Sequence, residues 1–561
     1  MAVQGSPPSG RPTLDRHRVG LIAGPLAAAA VLAFVDLDPG RPEVTRTAAV
    51  AVLVATWWIT EAIPLFATSL VPLVAFPLLG ILPGGKVAPA YVNSTIFLFI
   101  GGFLIALAME RWGLHRRIAL NIIARAGSSP SRVIVGFMLA SALLSMWISN
   151  TATAVMMTPI ALAILGPLEE REGRERIRPL ATALLLGIAY ACSIGGLSTL
   201  VGTPPNLSFV RIYDIQFPGA PEIGFGRWLL VGLPVALVMF GVIAFLLTRV
   251  FFRCPPDLRI DPDEIRARRD ALGPATFEEK AVLAVFATTA ILWVFRVPLE
   301  VGPIRIPGWS SLVPTSGFLD DGTVAIGMAL VLFLIPARRR APEPGGEGES
   351  EEPRARVSGT GTEPARFGGI ADAGIVLRLP WGVVLLFGGG FALATGFSET
   401  GLSKVLGNHF EGLGVLPPFV LVLSICLGIT FLTELTSNVA TTETILPILA
   451  GVSVAVGVHP LVLMVPATLS ASCAFMMPVA TPPNAIVFGS GRLAVPDMAR
   501  AGIWINLLGA VVIASAFQLL GPAVLGTDGP APAPAPVPGA EVGSLEAGDG
   551  LARPPHLESD Q

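Results

Sequence analysis

The sequence carries little charge for its length. Asp, Glu, Lys and Arg make up 14% of its 561 residues, whereas soluble proteins carry about 25%. Hydrophobic residues, in contrast, make up 52% of the chain. Because ions are costly in hydrocarbon and apolar side chains are not, this balance excludes a set of ordinary soluble domains. It predicts a protein that lies mostly in a lipid bilayer.

Cysteine and histidine are also scarce, which excludes several kinds of site. The four cysteines form no Cys-x-x-Cys pair and the five histidines form no His-Glu-x-x-His motif, so neither a disulfide framework nor a zinc site is predicted. The net charge of −3 gives no field for nucleic acid. The sequence shows no catalytic triad and no pair of intramembrane aspartates, so no enzyme is predicted.

Apolar stretches recur along the whole chain, and a helix needs about 20 residues to cross a bilayer. Eleven stretches approach or exceed that length, at 19–36, 47–64, 67–83, 94–110, 180–210, 228–250, 281–296, 322–336, 380–398, 460–488 and 501–522. Two others, 133–166 and 417–450, have a polar cluster at the middle and are too short for two crossings. The sequence therefore predicts an all-α polytopic membrane protein with about eleven transmembrane helices and two re-entrant hairpins.

The basic residues predict an orientation for these spans. If the N-terminus is cytoplasmic, 28 of the 37 Lys and Arg residues fall on the cytoplasmic side, where positive charge concentrates in membrane proteins. We therefore expect a cytoplasmic N-terminal segment and a C-terminus outside. The preference for Arg over Lys and the lack of organelle signals favour a bacterial inner (plasma) membrane.

Composition also divides the chain. The predicted parts are a cytoplasmic segment (1–18), a first half (19–336), a charged cytoplasmic linker (337–379), a second half (380–522) and a disordered Pro/Ala-rich tail (523–561). The linker and the tail are rich in residues that favour solvated chain over packed core, so we expect spacers there.

The two halves repeat each other. Five pairs of segments recur, the first four at an offset of 288 and the last at 278: 98–103 with 386–391, 113–114 with 401–402, 149–153 with 437–441, 159–160 with 447–448, and 203–206 with 481–484. Five crossings separate the two predicted hairpins, so the hairpins enter from opposite faces. This is an inverted-topology repeat, which is typical of secondary transporters with a binding site near the midplane.

The repeated segments are polar where the membrane is apolar. Each hairpin tip contains Ser-Asn, and free backbone N–H groups at the start of a half-helix favour an anion there. The paired prolines of Thr-Pro-Pro-Asn break a helix and free carbonyl oxygens upstream. The alternatives are a simple helix cap for the hydroxyls and a simple kink for the prolines. Because both features occur twice, we favour a binding site.

No Lys, Arg or His lies in the hairpin tips or beside the Pro-Pro motifs. A divalent anion at the midplane needs compensating charge, since even one buried charge costs at least ~2.5–3.5 kcal/mol. Hydroxyl, amide and carbonyl oxygens without converging carboxylates suit sodium better than magnesium or calcium. Glu434 and Glu443 flank the second tip, where they could serve as proton relays or, more readily, as hydrogen-bonded structural carboxyls.

At these residues the sequence resembles the divalent anion/sodium symporter (DASS) family. The resemblance covers about residues 46–522 and rests on the segments WWITEAIP (57–64), SNTATAVMMTPI (149–160), GGLSTLVGTPPN (195–206), FLTELTSNVAT (431–441) and ASCAFMMPVATPPNAIVF (471–488). Membership implies a homodimer with a scaffold domain and a moving transport domain that work as an elevator. It also implies sodium-coupled transport of dicarboxylates, citrate or sulfate.

The resemblance implies specific ligands. One sodium ion would be bound by Ser145, Ser149, Asn150 and the carbonyl of Gly202, and a second by Thr433, Asn438 and the carbonyl of Ala480. Substrate carboxylates would meet Asn150, Thr151, Ser437, Asn438, Thr481 and Pro482. The chain departs from the family pattern at Val439, which lacks the hydroxyl of the usual Thr.

The function we expect is sodium-coupled symport of C4-dicarboxylates such as succinate, malate and fumarate. The alternatives are a sodium-independent dicarboxylate exchanger and a sulfate or citrate carrier of the same fold. A channel is a further alternative, which saturable flux would exclude.

Overall fold

The protein is built almost entirely from helices, as its computed structural model shows for residues 16–301, 304–339 and 368–537. The helices of the first half are α1 (Arg16–Phe34), α2 (Pro42–Thr60), α3 (Leu65–Thr68), α4 (Val71–Leu78), α5 (Gly84–Val87), α6 (Ser94–Arg111), α7 (Leu114–Ile123), α8 (Pro130–Ser145), α9 (Asn150–Glu172), α10 (Arg174–Leu197), α11 (Pro204–Gln216), α12 (Phe225–Phe245), α13 (Pro262–Asp270), α14 (Phe277–Val294) and α15 (Asp321–Leu334). Those of the second half are α16 (Ala373–Leu377), α17 (Trp381–Thr400), α18 (Leu402–Asn408), α19 (Pro418–Thr433), α20 (Asn438–Val456), α21 (Pro460–Ala471), α22 (Pro482–Phe488) and α23 (Val495–Leu520). Two short strands, β1 (Leu299–Val301) and β2 (Ile304–Ile306), pair antiparallel between α14 and α15.

The helices have the composition of membrane spans. Among the described residues, eight helical segments are long and apolar enough to cross a bilayer, and five further apolar helices are shorter. The expected all-α polytopic membrane fold is thereby confirmed. The number of crossings and the re-entrant character of the hairpins stay predictions.

Glycines of the repeated motifs explain part of the internal symmetry. Gly113 joins α6 to α7 with a φ of 73°, and Gly401 joins α17 to α18 with a φ of 78°. This left-handed region is costly for residues that carry a Cβ. Both halves therefore need glycine at the same point, where a long helix turns into a short one.

A second pair of repeated glycines lets helices cross closely. A Cβ added at Gly101 of α6 would lie 2.6 Å from the carbonyl carbon of Ala325, and one added at Gly389 of α17 would lie 2.6 Å from Cβ of Ser69. Small residues at such crossings allow backbones to approach where no hydrophobic effect drives helices together. The repeated Gly-Gly-Phe motif is thus a packing motif in both halves.

Helix α10 lies at the centre of the protein. Every residue of its apolar window is buried, and it packs against α8, α9, α12 and α22. A helix that is buried all round is surrounded by protein rather than lipid. It therefore supports the first hairpin, formed by α8 and α9, and also contacts α22 of the second half.

The predicted hairpins are longer than expected. The first, predicted at 133–166, is formed by α8 and α9, and α9 alone has 23 residues. The second, predicted at 417–450, is formed by α19 and α20, which extends to Val456. In the first hairpin the charged residues 169–172 continue α9 beyond its apolar stretch. In the second, the mostly apolar residues 451–456 continue α20.

Ion pairs hold the second end of the predicted linker against the end of α6. Arg111 at the end of α6 pairs with Asp372 at 2.7 Å, and its neighbour Glu110 pairs with Arg378 at 2.5 Å. Helix α16 lies between these two partners, inside the linker predicted at 337–379. Residues 340–367 of that linker, with most of its charge, lie outside the described part of the chain.

The first part of the Pro/Ala-rich tail lies against the protein, which differs from the disorder predicted for 523–561. Helix α23 continues as a π-helical turn to Leu525, and the backbone N–H of Ala535 donates to the carbonyl of Gln216 at 2.9 Å. Residues 534–537 line a cavity of about 580 Å³ together with Gln216 and Gly401. Alternating proline restricts the unfolded chain, so docking it costs little backbone entropy. The rest of the predicted tail, 538–561, is not described.

Candidate binding site

The first hairpin tip is the loop between α8 and α9. Ser145, the last residue of α8, donates from its Oγ to Oδ1 of Asn150, the first residue of α9, at 2.5 Å. Ser149 is the N-cap of α9, and its Oγ accepts from the N–H of Ala152 at 3.2 Å. The tip therefore combines two hydroxyls and an amide at the start of a helix, where N–H groups favour negative charge.

The second tip repeats this arrangement. Thr433 ends α19 and donates from its Oγ1 to Oδ1 of Asn438, the first residue of α20, at 2.7 Å. The same hydroxyl also lies 2.9 Å from the carbonyl oxygen of Ala471. Ser437 is the N-cap of α20, but its side chain makes no capping hydrogen bond. Its hydroxyl is therefore not committed to the helix it begins.

The first Thr-Pro-Pro-Asn motif interrupts a helix. Helix α10 ends at Leu197 and α11 begins at Pro204, because proline lacks the N–H that would continue the ladder. Asn206 donates from its Nδ2 to the carbonyls of Gly196, at 3.1 Å, and Thr199, at 2.7 Å. One amide thus replaces two hydrogen bonds that the break removes.

The second motif uses its asparagine in the same way. Asn484 donates from its Nδ2 to the carbonyls of Ala474 and Met477, both at 3.1 Å. These acceptors stand 10 and 7 residues before Asn484, as Gly196 and Thr199 stand before Asn206. The Asn of each Thr-Pro-Pro-Asn motif therefore stabilises the helix break with two hydrogen bonds. The sequence contained this signal as a repeated Asn, to which no role was assigned.

The first tip and the first break approach each other at Gly196. A Cβ added there would lie 2.9 Å from Oδ1 of Asn150 and 3.0 Å from the carbonyl oxygen of Gly202. The structure thus brings together two of the residues that the resemblance implies for the first sodium ion. Neutral amide and carbonyl oxygens are ligands that suit a small hard cation.

The residues expected to bind the second sodium ion repeat the first sodium site less closely. Ala474 stands where the first half has Gly196, so a methyl group lies at the corresponding point. Thr433 is buried and bonded to Asn438, whereas Ala480 is half-buried and its N–H donates to the carbonyl of Met477 at 3.2 Å. The structure therefore brings Thr433 and Asn438 together. It ties Ala480 to the loop of the second break.

The residues predicted to meet the substrate differ in exposure. Thr151 and Pro482 are exposed, and Asn150, Ser437 and Asn438 are half-buried. Thr481 is buried, and its Oγ1 accepts from the N–H of Asn484 at 3.4 Å. Thr481 therefore caps α22, whereas the polar side chains of Asn150, Thr151, Ser437 and Asn438 lie on accessible surface.

The two halves interlock around these tips. Helix α22 of the second half packs against α9 and α10 of the first, and α11 of the first half packs against α20 and α21 of the second. Tyr190 of α10 donates from its hydroxyl to the carbonyl of Phe475 in the second break at 2.8 Å. Each break thus lies beside the helix that begins at the other half's tip. The two halves are therefore packed together through the helices that begin at the tips and breaks.

Carboxylates near the second tip have defined partners. Glu434 accepts from three consecutive backbone N–H groups, those of Phe475, Met476 and Met477, at 2.6–3.0 Å. Glu443 accepts from the hydroxyl of Ser208 at 2.5 Å. Both are hydrogen-bonded, as the structural alternative expected. In the described part of the chain, no three His, Cys, Asp or Glu side chains group into a metal site.

The comparison with protein families decides the relationship of this chain. The family model for the sodium:sulfate symporter transmembrane region matches residues 21–526. The chain belongs to this family. The predicted resemblance to divalent anion/sodium symporters is thereby confirmed.

Named transporters are similar to this chain over almost their whole length. The sodium-dependent dicarboxylate transporter SdcS of Staphylococcus saprophyticus is 42% identical over 517 residues, which cover 91% of this chain and 92% of that protein. SdcS of Staphylococcus aureus strain MRSA252 is 42% identical over 525 residues, which cover 92% and 94%. The solved structure of MtrF from Neisseria gonorrhoeae is 14% identical, covers 92% of this chain and 100% of that one, and has a TM-score of 0.50. At this identity the likeness to MtrF concerns the fold alone.

Proposed function

We propose that this chain is a secondary active transporter that couples the movement of dicarboxylate anions to sodium ions. The observation that carries the proposal is the duplicated pair of a hydroxyl and an asparagine at the two tips, Ser145 with Asn150 and Thr433 with Asn438. Each pair offers oxygen atoms to a cation and an amide N–H to an anion. The similarity to proteins named sodium-dependent dicarboxylate transporters supports the same reading.

Charge balance explains why the two solutes would move together. The tips and breaks contain no Lys, Arg or His, and a helix end supplies only about half an elementary charge. A divalent anion held there without a basic side chain has an unpaired charge in a medium that penalises it. Sodium ions bound beside it would remove that penalty, so each solute would raise the affinity for the other.

The proposal includes a preferred substrate and a mode of movement. We infer C4-dicarboxylates such as succinate, malate and fumarate, whose two carboxylates could each meet one asparagine tip. The interlocked tips and breaks would move together as one body against the remaining helices, as in an elevator, within a homodimer. The orientation we infer places the N-terminus in the cytoplasm and the C-terminus outside.

Uptake into proteoliposomes tests the proposal. Purified protein should accumulate labelled succinate above equilibrium under an inward sodium gradient and not under a potassium gradient. Asn150→Ala and Asn438→Ala should each lower this uptake at least about a hundred-fold, because each removes the amide and leaves its hydroxyl partner unpaired. Asn408→Ala, an exposed residue at the end of α18, is the matched control and should transport normally.

The same vesicles distinguish the alternative functions. Equal succinate uptake with and without sodium, together with fast succinate counterflow, would indicate an exchanger and refute the coupling. Strong inhibition of succinate uptake by excess sulfate or citrate, with their own sodium-driven uptake, would shift the substrate but keep the coupling. Flux that does not saturate with succinate would indicate a channel.

A further inference from the structure

Glu434 holds together the second tip and the second helix break. It follows Thr433 directly, is only 3% exposed, and accepts four hydrogen bonds. Three come from the backbone N–H groups of Phe475, Met476 and Met477, at 2.6, 2.8 and 3.0 Å, and the fourth comes from Nδ2 of Asn506 in α23, at 2.7 Å. Four donors satisfy an ionised carboxylate, and bonds to a charged acceptor are roughly twice as strong as neutral ones.

These contacts lead to the Ala480 carbonyl that the family resemblance assigns to sodium. Glu434 fixes the N–H of Met477, and the carbonyl of Met477 accepts from Nδ2 of Asn484 at 3.1 Å and from the N–H of Ala480 at 3.2 Å. The Met477 peptide is therefore held on both sides. Loss of the carboxylate would free the loop that orients Ala480.

The first half lacks this carboxylate. Met146 occupies the position 288 residues before Glu434, and its carbonyl accepts from Oγ1 of Thr199 at 2.5 Å. Thr199 is related in turn to Met477 by the offset of 278. Both halves thus tie the tip to the break at the same point, but the first half uses a neutral bond and the second half uses a fixed negative charge.

We propose that Glu434 is a positioning residue that builds the second cation site and makes it the tighter of the two. The carboxylate orients the loop carrying Ala480, and its negative charge lies in the residue next to Thr433, in a region of low dielectric. A negative charge in such a position favours a nearby cation more strongly than it would in water. The sodium ion at this second site would therefore bind before the ion at the first site. This inference rests on the proposed function.

The test is the sodium dependence of Glu434→Gln, which keeps the shape but loses the charge and presents an N–H to the Met477 N–H. We expect the half-saturating sodium concentration for succinate uptake to rise about ten-fold, while the maximal rate at saturating sodium stays within about two-fold. Glu434→Asp should recover part of the sodium affinity. A residue with a merely structural role would lower the maximal rate and leave the sodium dependence unchanged, and that result would overturn the inference.

Two further variants keep the test decisive if Glu434→Gln does not fold. Asn506→Ala removes one donor from the carboxylate without removing its charge, and should raise the half-saturating sodium concentration by about three-fold. Thr199→Val removes the neutral tie of the first half and should have a smaller effect on the high-affinity sodium component than Glu434→Gln or Asn506→Ala. An unchanged sodium dependence in Asn506→Ala would count against the inference.

Direct binding of ²²Na⁺ to the purified full-length protein separates this inference from the proposed function. Wild-type protein that binds sodium but does not transport succinate would refute the proposed substrate, and the variants would still be compared through sodium affinity. Equal ²²Na⁺ affinity in wild type and Glu434→Gln would overturn the inference while leaving sodium-coupled transport intact.

Discussion

Ser208 of the first half donates a hydrogen bond from its Oγ to Oε1 of Glu443 in the second half, at 2.5 Å. Both residues are fully buried, Ser208 in α11 and Glu443 in α20. Oε2 of Glu443 has no hydrogen-bond partner in the described part of the chain, and Gly390 of α17 lies directly against it. This bond therefore joins the broken helix of one repeat to the tip helix of the other.

We predict that Glu443→Gln keeps the stability of the wild type to within about 1 kcal/mol. An ionised carboxylate with one hydroxyl donor would be costly at this depth, so a neutral amide of the same shape should serve equally well. Glu443→Ala should lower the stability by about 2–4 kcal/mol, because it leaves a cavity and an unpaired Ser208 hydroxyl. Thermal unfolding in detergent measures both. A severe loss in Glu443→Gln together with a mild loss in Glu443→Ala would contradict this account.

We predict that Gly196→Ala weakens sodium binding at the first site. The added methyl group would lie within about 3 Å of both Oδ1 of Asn150 and the carbonyl of Gly202, and overpacking of this kind costs roughly 1–3 kcal/mol. The half-saturating sodium concentration for succinate uptake should rise at least about ten-fold. Gly166→Ala in α9 is the control, since a Cβ there meets nothing within 4 Å. If both variants had the same half-saturating sodium concentration, Gly196 would not be part of the cation site.

We predict that Asp372→Asn loosens the end of the linker in a pH-dependent way. The hydrogen bond from Arg111 holds the pKa of Asp372 below its usual value, so the carboxylate stabilises the folded state above the ordinary Asp pKa of about 3.9. That stability is lost as pH falls through the lowered folded pKa. The pair is half-exposed, so the difference between wild type and variant should be at most about 1 kcal/mol at pH 6 and should vanish in strong acid. A difference that grows as pH falls would have the wrong sign.

We predict that the docked part of the tail stabilises the protein. A chain ending at Gly529 loses the bond from Ala535 to Gln216 and the cover that residues 534–537 give the cavity. Its free energy of unfolding should fall by about 1 kcal/mol. A chain ending at Val537 keeps these contacts and is the matched control. Equal thermal unfolding of the two truncated chains would show that the contact contributes nothing.

The positions of the tips and breaks could be predicted from the sequence, because they depend on residues at those positions. Paired proline ends a helix wherever it stands, and a glycine such as Gly113 or Gly401 marks a turn that other residues adopt with strain. The repeat added what local rules do not supply, since the shared offsets related Asn150 to Asn438 before any contact was known. The membrane fold followed from composition.

The contacts of Glu434 and Glu443 could not be predicted in the same way. Both carboxyls stand in apolar segments, and their partners Phe475 and Ser208 lie 41 and 235 residues away along the chain. Neither carboxyl has a counterpart in the first half, so the internal repeat could not predict its partners. The docking of residues 534–537 was missed for a related reason, because a Pro/Ala composition describes the freedom of a chain and not the surface it meets.

The tail also bridges the ends of two helices. It runs from the end of α23 to the ends of α11 and α17, where it meets Gln216 and Gly401. Gln216 also donates from its Nε2 to the carbonyl of Ala394 in α17 at 2.9 Å, so the tail adds to a contact that the two helices already make. A carrier that moves α11 relative to α17 would have to break the tail contact in each cycle, and that cost would slow turnover.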